Sequence, residues 1–90
     1  MSVRPFNSID PSIDTTAYVD ETAVVIGDVH IGSESSIWPM VVIRGDVNHI
    51  RIGSKSNIQD GSILHVTHKT SEDPEGGPLI IGDGVTIGHA

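Results

Sequence analysis

The chain has 90 residues, enough for one domain with a modest core. Its formal charge of −7, with only five Lys and Arg, argues against nucleic-acid phosphate as a partner. No apolar run is long enough to span a bilayer, MSVRPFNSID lacks the apolar stretch of a secretory signal, and there is no Cys for disulfides or thiolate ligands; together these fit a cytoplasmic protein with no membrane partner.

With one Phe, one Trp and one Tyr, the core must be aliphatic, and abundant Val, Ile and Gly favour many short strands. Residues 1–16 read as an irregular lead-in and first cap. Then a six-residue cycle begins: Val19, Val25, Ile31, Ile37 and Ile43. It slips by three residues, resumes at Ile52, Ile58 and Leu64, and resumes again at Ile81 and Ile87. Val, Ile and Leu fill 25 of 90 positions, so ten hits in ten exceed what composition supplies. Four residues after the ladder positions stand Ala23, Val29, Ser35, Val41, Val47, Ser56, Ser62 and Val85, a second ladder of small residues and Val.

A period of six suits neither an amphipathic helix nor a meander. It marks a hexapeptide-repeat β-helix, in which stacked coils bury what one hexapeptide cannot. A Val- and Ile-rich sandwich has no reason to keep so strict a cycle. All ten ladder residues are expected to be buried and in strands. The slip after Ile43 predicts a bulged corner carrying Val47, Asn48 and His49. The stretch 67–80, with Pro74, Gly76, Gly77 and Pro78, predicts a loop excursion, either a binding element or a solvated detour. The whole chain, 1–90, is then one β-helix domain.

Each of the five His residues, taken singly, reads as an ordinary surface or corner residue. His65 and His68 are the closest pair, but a three-residue gap on a β-solenoid does not aim both rings at one point. Spacing alone therefore assigns no metal site.

Two segments are more specific: VIRGDV, with Arg44 and Asp46, and SNIQDGSILH, with Asn57, Gln59, Asp60 and His65. With GVTIGHA and its His89, they resemble the γ-class carbonic anhydrase family over about residues 19–90. The resemblance implies an all-β, left-handed parallel β-helix that assembles as a homotrimer. It implies zinc, with Fe²⁺ or Co²⁺ as alternatives, held at each subunit interface by three His from two chains. His65 and His89 match two of these ligands. The third matches a position five residues after His89, beyond Ala90, so by this resemblance the chain stops short of later coils and a C-terminal helix.

The activity implied is reversible hydration of CO₂ to bicarbonate by zinc-bound hydroxide. Gln59 would orient that hydroxide, Arg44 and Asp60 would form an ion pair near the interface, and Asp46 and Asn57 would lend polar support. Asp46, Asn57 and Asp60 have a second reading as corner residues that bond their own backbone. Where the archetypal family member carries a proton-shuttling Glu this chain has Val47, and where a second Glu is expected it has His68, an imidazole suited to relaying protons near neutral pH. Two other functions share the fold: a coenzyme A thioester acyltransferase or thioesterase, and a non-catalytic trimeric scaffold.

Overall fold

The computed structural model describes residues 2–67, 72 and 76–88. Ten strands run in chain order with no helix among the described residues: β1 (Ser2–Arg4), β2 (Ser12–Ile13), β3 (Tyr18–Val19), β4 (Val24–Ile31), β5 (Ser36–Ile37), β6 (Val42–Ile52), β7 (Asn57–Ile58), β8 (Ile63–Leu64), β9 (Leu79–Ile81) and β10 (Thr86–Ile87). Every pairing between them is parallel. The pairings make three faces: β1-β4-β6-β8, then β2-β4-β6-β9, then β3-β5-β7-β10. The long strands β4 and β6 each bend round a corner and serve two faces. This is the hexapeptide β-helix that the ladder predicts.

Register stacks the ladder into three columns. Val25, Ile43 and Leu64 lie over one another, as do Ile31, Ile52 and Ile81, and Val19, Ile37, Ile58 and Ile87. All ten are in strands, and nine are buried. Ile87 departs from the expectation: it is only half-buried, because it stands on the outermost described strand of its column. Residues 1–16 are less irregular than expected, since β1 and β2 both pair with β4 and form the first coil.

The small-residue ladder holds at Ala23, Val29, Ser35, Val41, Ser56 and Ser62, all buried. It fails at Val47, which is 43% exposed. Gly27 pairs with Gly45 but Val29 pairs with Ile50, so Asp28 alone faces the whole stretch from Asp46 to His49. The inserted stretch forms a bulge in which Val47 faces outward and Asn48 stays buried, and Ile50, fully buried, takes the column place assigned to Val47. The two glycines are needed at this turn: a Cβ on Gly45 would meet the Asp28 carbonyl oxygen at 2.6 Å.

The other departures from the six-residue cycle gather at the same corner. The first coil has its Phe6–Ile9 bridge there, and the fourth has its excursion, pinched by an antiparallel bridge between Thr67 and Gly77. Asn48, buried within the bulge, donates from Nδ2 to the Thr67 carbonyl at 3.2 Å and so ties bulge to excursion. The excursion ends before Leu79, which belongs to β9.

Candidate functional site

Ile43 and Leu64 pair across neighbouring coils, so Arg44 and His65, each one residue further on, stand side by side. Strand alternation turns the ladder residues inward and these two outward. Arg44 Nη2 lies 3.3 Å from His65 Nδ1. Asp46 begins the bulge, and its carboxylate closes the group. Its Oδ1 lies 3.1 Å from His65 Nε2, and its Oδ2 lies 3.4 Å from Arg44 Nε. The Val47 N–H donates to Asp46 Oδ1 at 2.7 Å, which fixes the carboxylate. Asp46 thus serves both readings given to it, bonding the adjacent backbone while gripping an imidazole.

A guanidinium can only donate, so His65 Nδ1 accepts from Arg44 and the ring proton sits on Nε2, facing Asp46. The side chains differ in exposure: 49% for Arg44, 39% for His65 and 14% for Asp46. Burial works to raise the Asp46 carboxyl, but the hydrogen bonds from Val47 and His65, with the electrostatic pull of His65 and then Arg44, outweigh it. The net effect holds the carboxyl below its ordinary range.

The other residues named from sequence lie apart from this trio. Asn57 is on β7, where its Oδ1 accepts from the indole N–H of Trp38. Gln59 and Asp60 are in the turn that follows β7. The Gln59 N–H donates to the Ile87 carbonyl at 3.0 Å, while Asp60 is exposed and makes no ion pair among the described residues. Within the chain, Arg44 therefore pairs with Asp46 and not Asp60. His68 and His89 lie outside the described residues. Sequence reasoning missed the direct Arg44–His65 contact, although the signal was available: both follow stacked ladder residues.

A shallow groove of about 460 Å³ lies elsewhere, on the β2-β4-β6-β9 face, lined by His30, Arg51, Ile80, Asp14 and Asp83. Arg51 is engaged there by Asp28, at 2.9 Å.

Comparison with known proteins decides the family. Protein YrdA of Escherichia coli is 53% identical over 87 residues, which is 97% of this chain and 47% of that protein. A mitochondrial γ carbonic anhydrase 1 of Arabidopsis thaliana is 54% identical over 80 residues, covering 89% of this chain and 29% of the relative. The chain belongs to the γ-carbonic-anhydrase-like hexapeptide-repeat family. A crystal structure of a hexapeptide transferase family protein from Anaplasma phagocytophilum superposes with a TM-score of 0.86 at 41% identity, covering 98% of this chain and 47% of that one. No family model matches the chain. This γ-carbonic-anhydrase-like chain spans about half the length of YrdA and of the Anaplasma protein.

Among the described residues, no three His, Cys, Asp or Glu side chains converge on one point. The donor set nonetheless suits a metal shared with groups from elsewhere. His65 faces outward, and a carboxylate accepts its ring proton, the arrangement that commonly orients a metal-ligating imidazole. No helix among the described residues is long and apolar enough to cross a membrane.

Proposed function

We propose that this chain carries part of the metal site of a γ-carbonic-anhydrase-type protein that interconverts CO₂ and bicarbonate in the cytoplasm, working as a homotrimer. The observation that carries the proposal is the outward-facing His65 held by the Asp46 carboxylate of the preceding coil. His65 would hold the metal from this chain, with His89 and a further His supplying the remaining ligands. When bound, a zinc ion supplies the Lewis acidity that makes hydroxide available near neutral pH; Fe²⁺ or Co²⁺ are alternatives.

The chain's own residues would do the rest. Asp46 fixes the imidazole's orientation and tautomer. Arg44, about half exposed beside His65, offers a cation to the bicarbonate anion. Gln59 would orient the nucleophile from a neighbouring chain or after local movement. Val47, exposed next to Asp46, has no proton to give, so proton export falls to buffer or to His68.

The Anaplasma protein is a hexapeptide transferase family protein, which supports a second reading as a transferase; the class we assign to that reading is a coenzyme A thioester acyltransferase or thioesterase. A third is a metal-retaining scaffold. Metal analysis, stopped-flow CO₂ hydration and thioester assays on the full-length protein separate them. Stoichiometric zinc that His65→Ala abolishes, with hydration activity, supports the proposal. Zinc without hydration favours the scaffold. Thioester turnover that is independent of metal overturns the proposal.

A further inference from the structure

We propose that Arg44 and Asp46 form a latch on His65 that metal uptake must open, so that Arg44 competes with the metal for the imidazole. The inference rests on His65 being a metal ligand. An imidazole has two nitrogens, and in this chain both are engaged: Nδ1 by Arg44 at 3.3 Å and Nε2 by Asp46 at 3.1 Å. The ring's one free lone pair therefore faces a guanidinium. An incoming cation must take that lone pair from Arg44 or strip the Nε2 proton from its carboxylate; either route breaks the latch.

Arg44 is the part built to yield. Its side chain is about half exposed and reaches His65 over a long hydrogen bond. Asp46 is mostly buried and pinned by the Val47 N–H. The guanidinium also repels any divalent cation brought to the ring. A residue that merely supports a metal ligand weakens metal binding when it is removed. A competitor does the opposite.

The test measures the metal-free protein first. Nitrogen and carbon NMR of the His65 ring should show the Nε2–H tautomer, and a dominant Nδ1–H tautomer would overturn the latch. Zinc affinity is then measured by competition with a chelator for the native chain, Arg44→Gln and Arg44→Met, with circular dichroism and oligomeric state recorded for each. Arg44→Gln should bind zinc on the order of tenfold more tightly, the scale of one hydrogen bond and a removed like charge. Equal or weaker binding by a folded Arg44→Gln overturns the proposal. If that variant misfolds or changes assembly, Arg44→Met, which removes both charge and donor, decides: tighter zinc binding supports the latch, and equal or weaker binding overturns it. His65→Ala binding zinc as well as the native chain would overturn the metal reading of His65 itself, whichever tautomer the ring shows.

Discussion

Ser56 stacks over Ser35 between coils, and the Ser35 hydroxyl accepts the Ser56 N–H at 3.1 Å while donating to the Gly53 carbonyl at 2.6 Å. Ser56 repeats the pattern one coil later, donating to the Gly82 carbonyl at 2.6 Å and accepting from the Val85 N–H at 3.1 Å. Both serines are buried. Ser35→Ala leaves the buried Ser56 N–H and the part-buried Gly53 carbonyl each short of a partner. It should cost about 1–3 kcal/mol, read as a lowered denaturation midpoint. Ser54→Ala, whose hydroxyl meets Ser33 in a part-buried contact, should cost less.

Ile43 and Ile63 lie twenty residues apart in sequence and on adjacent coils of one face, but they point in opposite directions. Ile43 is fully buried, whereas Ile63 is 73% exposed. Ile43→Ala should destabilise by about 2–5 kcal/mol in chemical denaturation, with Ile63→Ala near neutral. Similar losses for the two would contradict the inward–outward assignment.

Gly45→Ala tests the corner that positions the candidate site. The new Cβ would meet the Asp28 carbonyl oxygen at 2.6 Å, which is backbone and cannot swing aside. A cost of about 1–3 kcal/mol is expected. Because Gly45 sits between Arg44 and Asp46, the His65 ring resonances should shift as well.

Asp46 makes stability depend on pH. Its folded carboxyl is held below its ordinary value, so the stabilisation it contributes is present above that value and is lost as pH falls through the lowered one. Denaturation midpoints of the native chain should therefore drop more steeply than those of Asp46→Asn below about pH 4. Parallel curves would show that the Asp46 contacts do not persist in solution.

Val47→Glu places a carboxylate where the archetypal member of the resembling family is expected to have one. Since Val47 is exposed at the bulge, its stability should change by no more than about 0.5 kcal/mol. In a metal-loaded full-length protein, kcat at low buffer should rise and its dependence on added imidazole buffer should weaken. The scale of such acid–base help is about 10²–10⁴-fold.

The fold was legible because it is periodic. A six-residue cycle of Val, Ile and Leu needs no distant information: each coil repeats the last, and stacking buries what a single coil exposes. Residues on that cycle, Ile37 and Ile58 among them, could be placed inside from sequence, and so could the outward positions next to Ile43 and Leu64. The candidate site was legible only through resemblance, since His65 taken alone looks like any surface imidazole.

Where the cycle broke, the sequence lost its hold. Val47 satisfied the count of four after Ile43, yet three inserted residues could leave the column at any point between Ile43 and Ile52. Tertiary structure chose the point, because Gly27 and Gly45 stack closely only at that corner and Ile50 buries more apolar surface over Val29 than Val47 would. That choice turned Asp46 back towards His65 and left Arg44 on the other ring nitrogen. The sequence by itself determined a stack of coils and which residues line its columns. Only the three-dimensional packing decided that a carboxylate and a guanidinium from one coil would hold the imidazole of the next, because those contacts depend on where a bulge bends and not on any repeat.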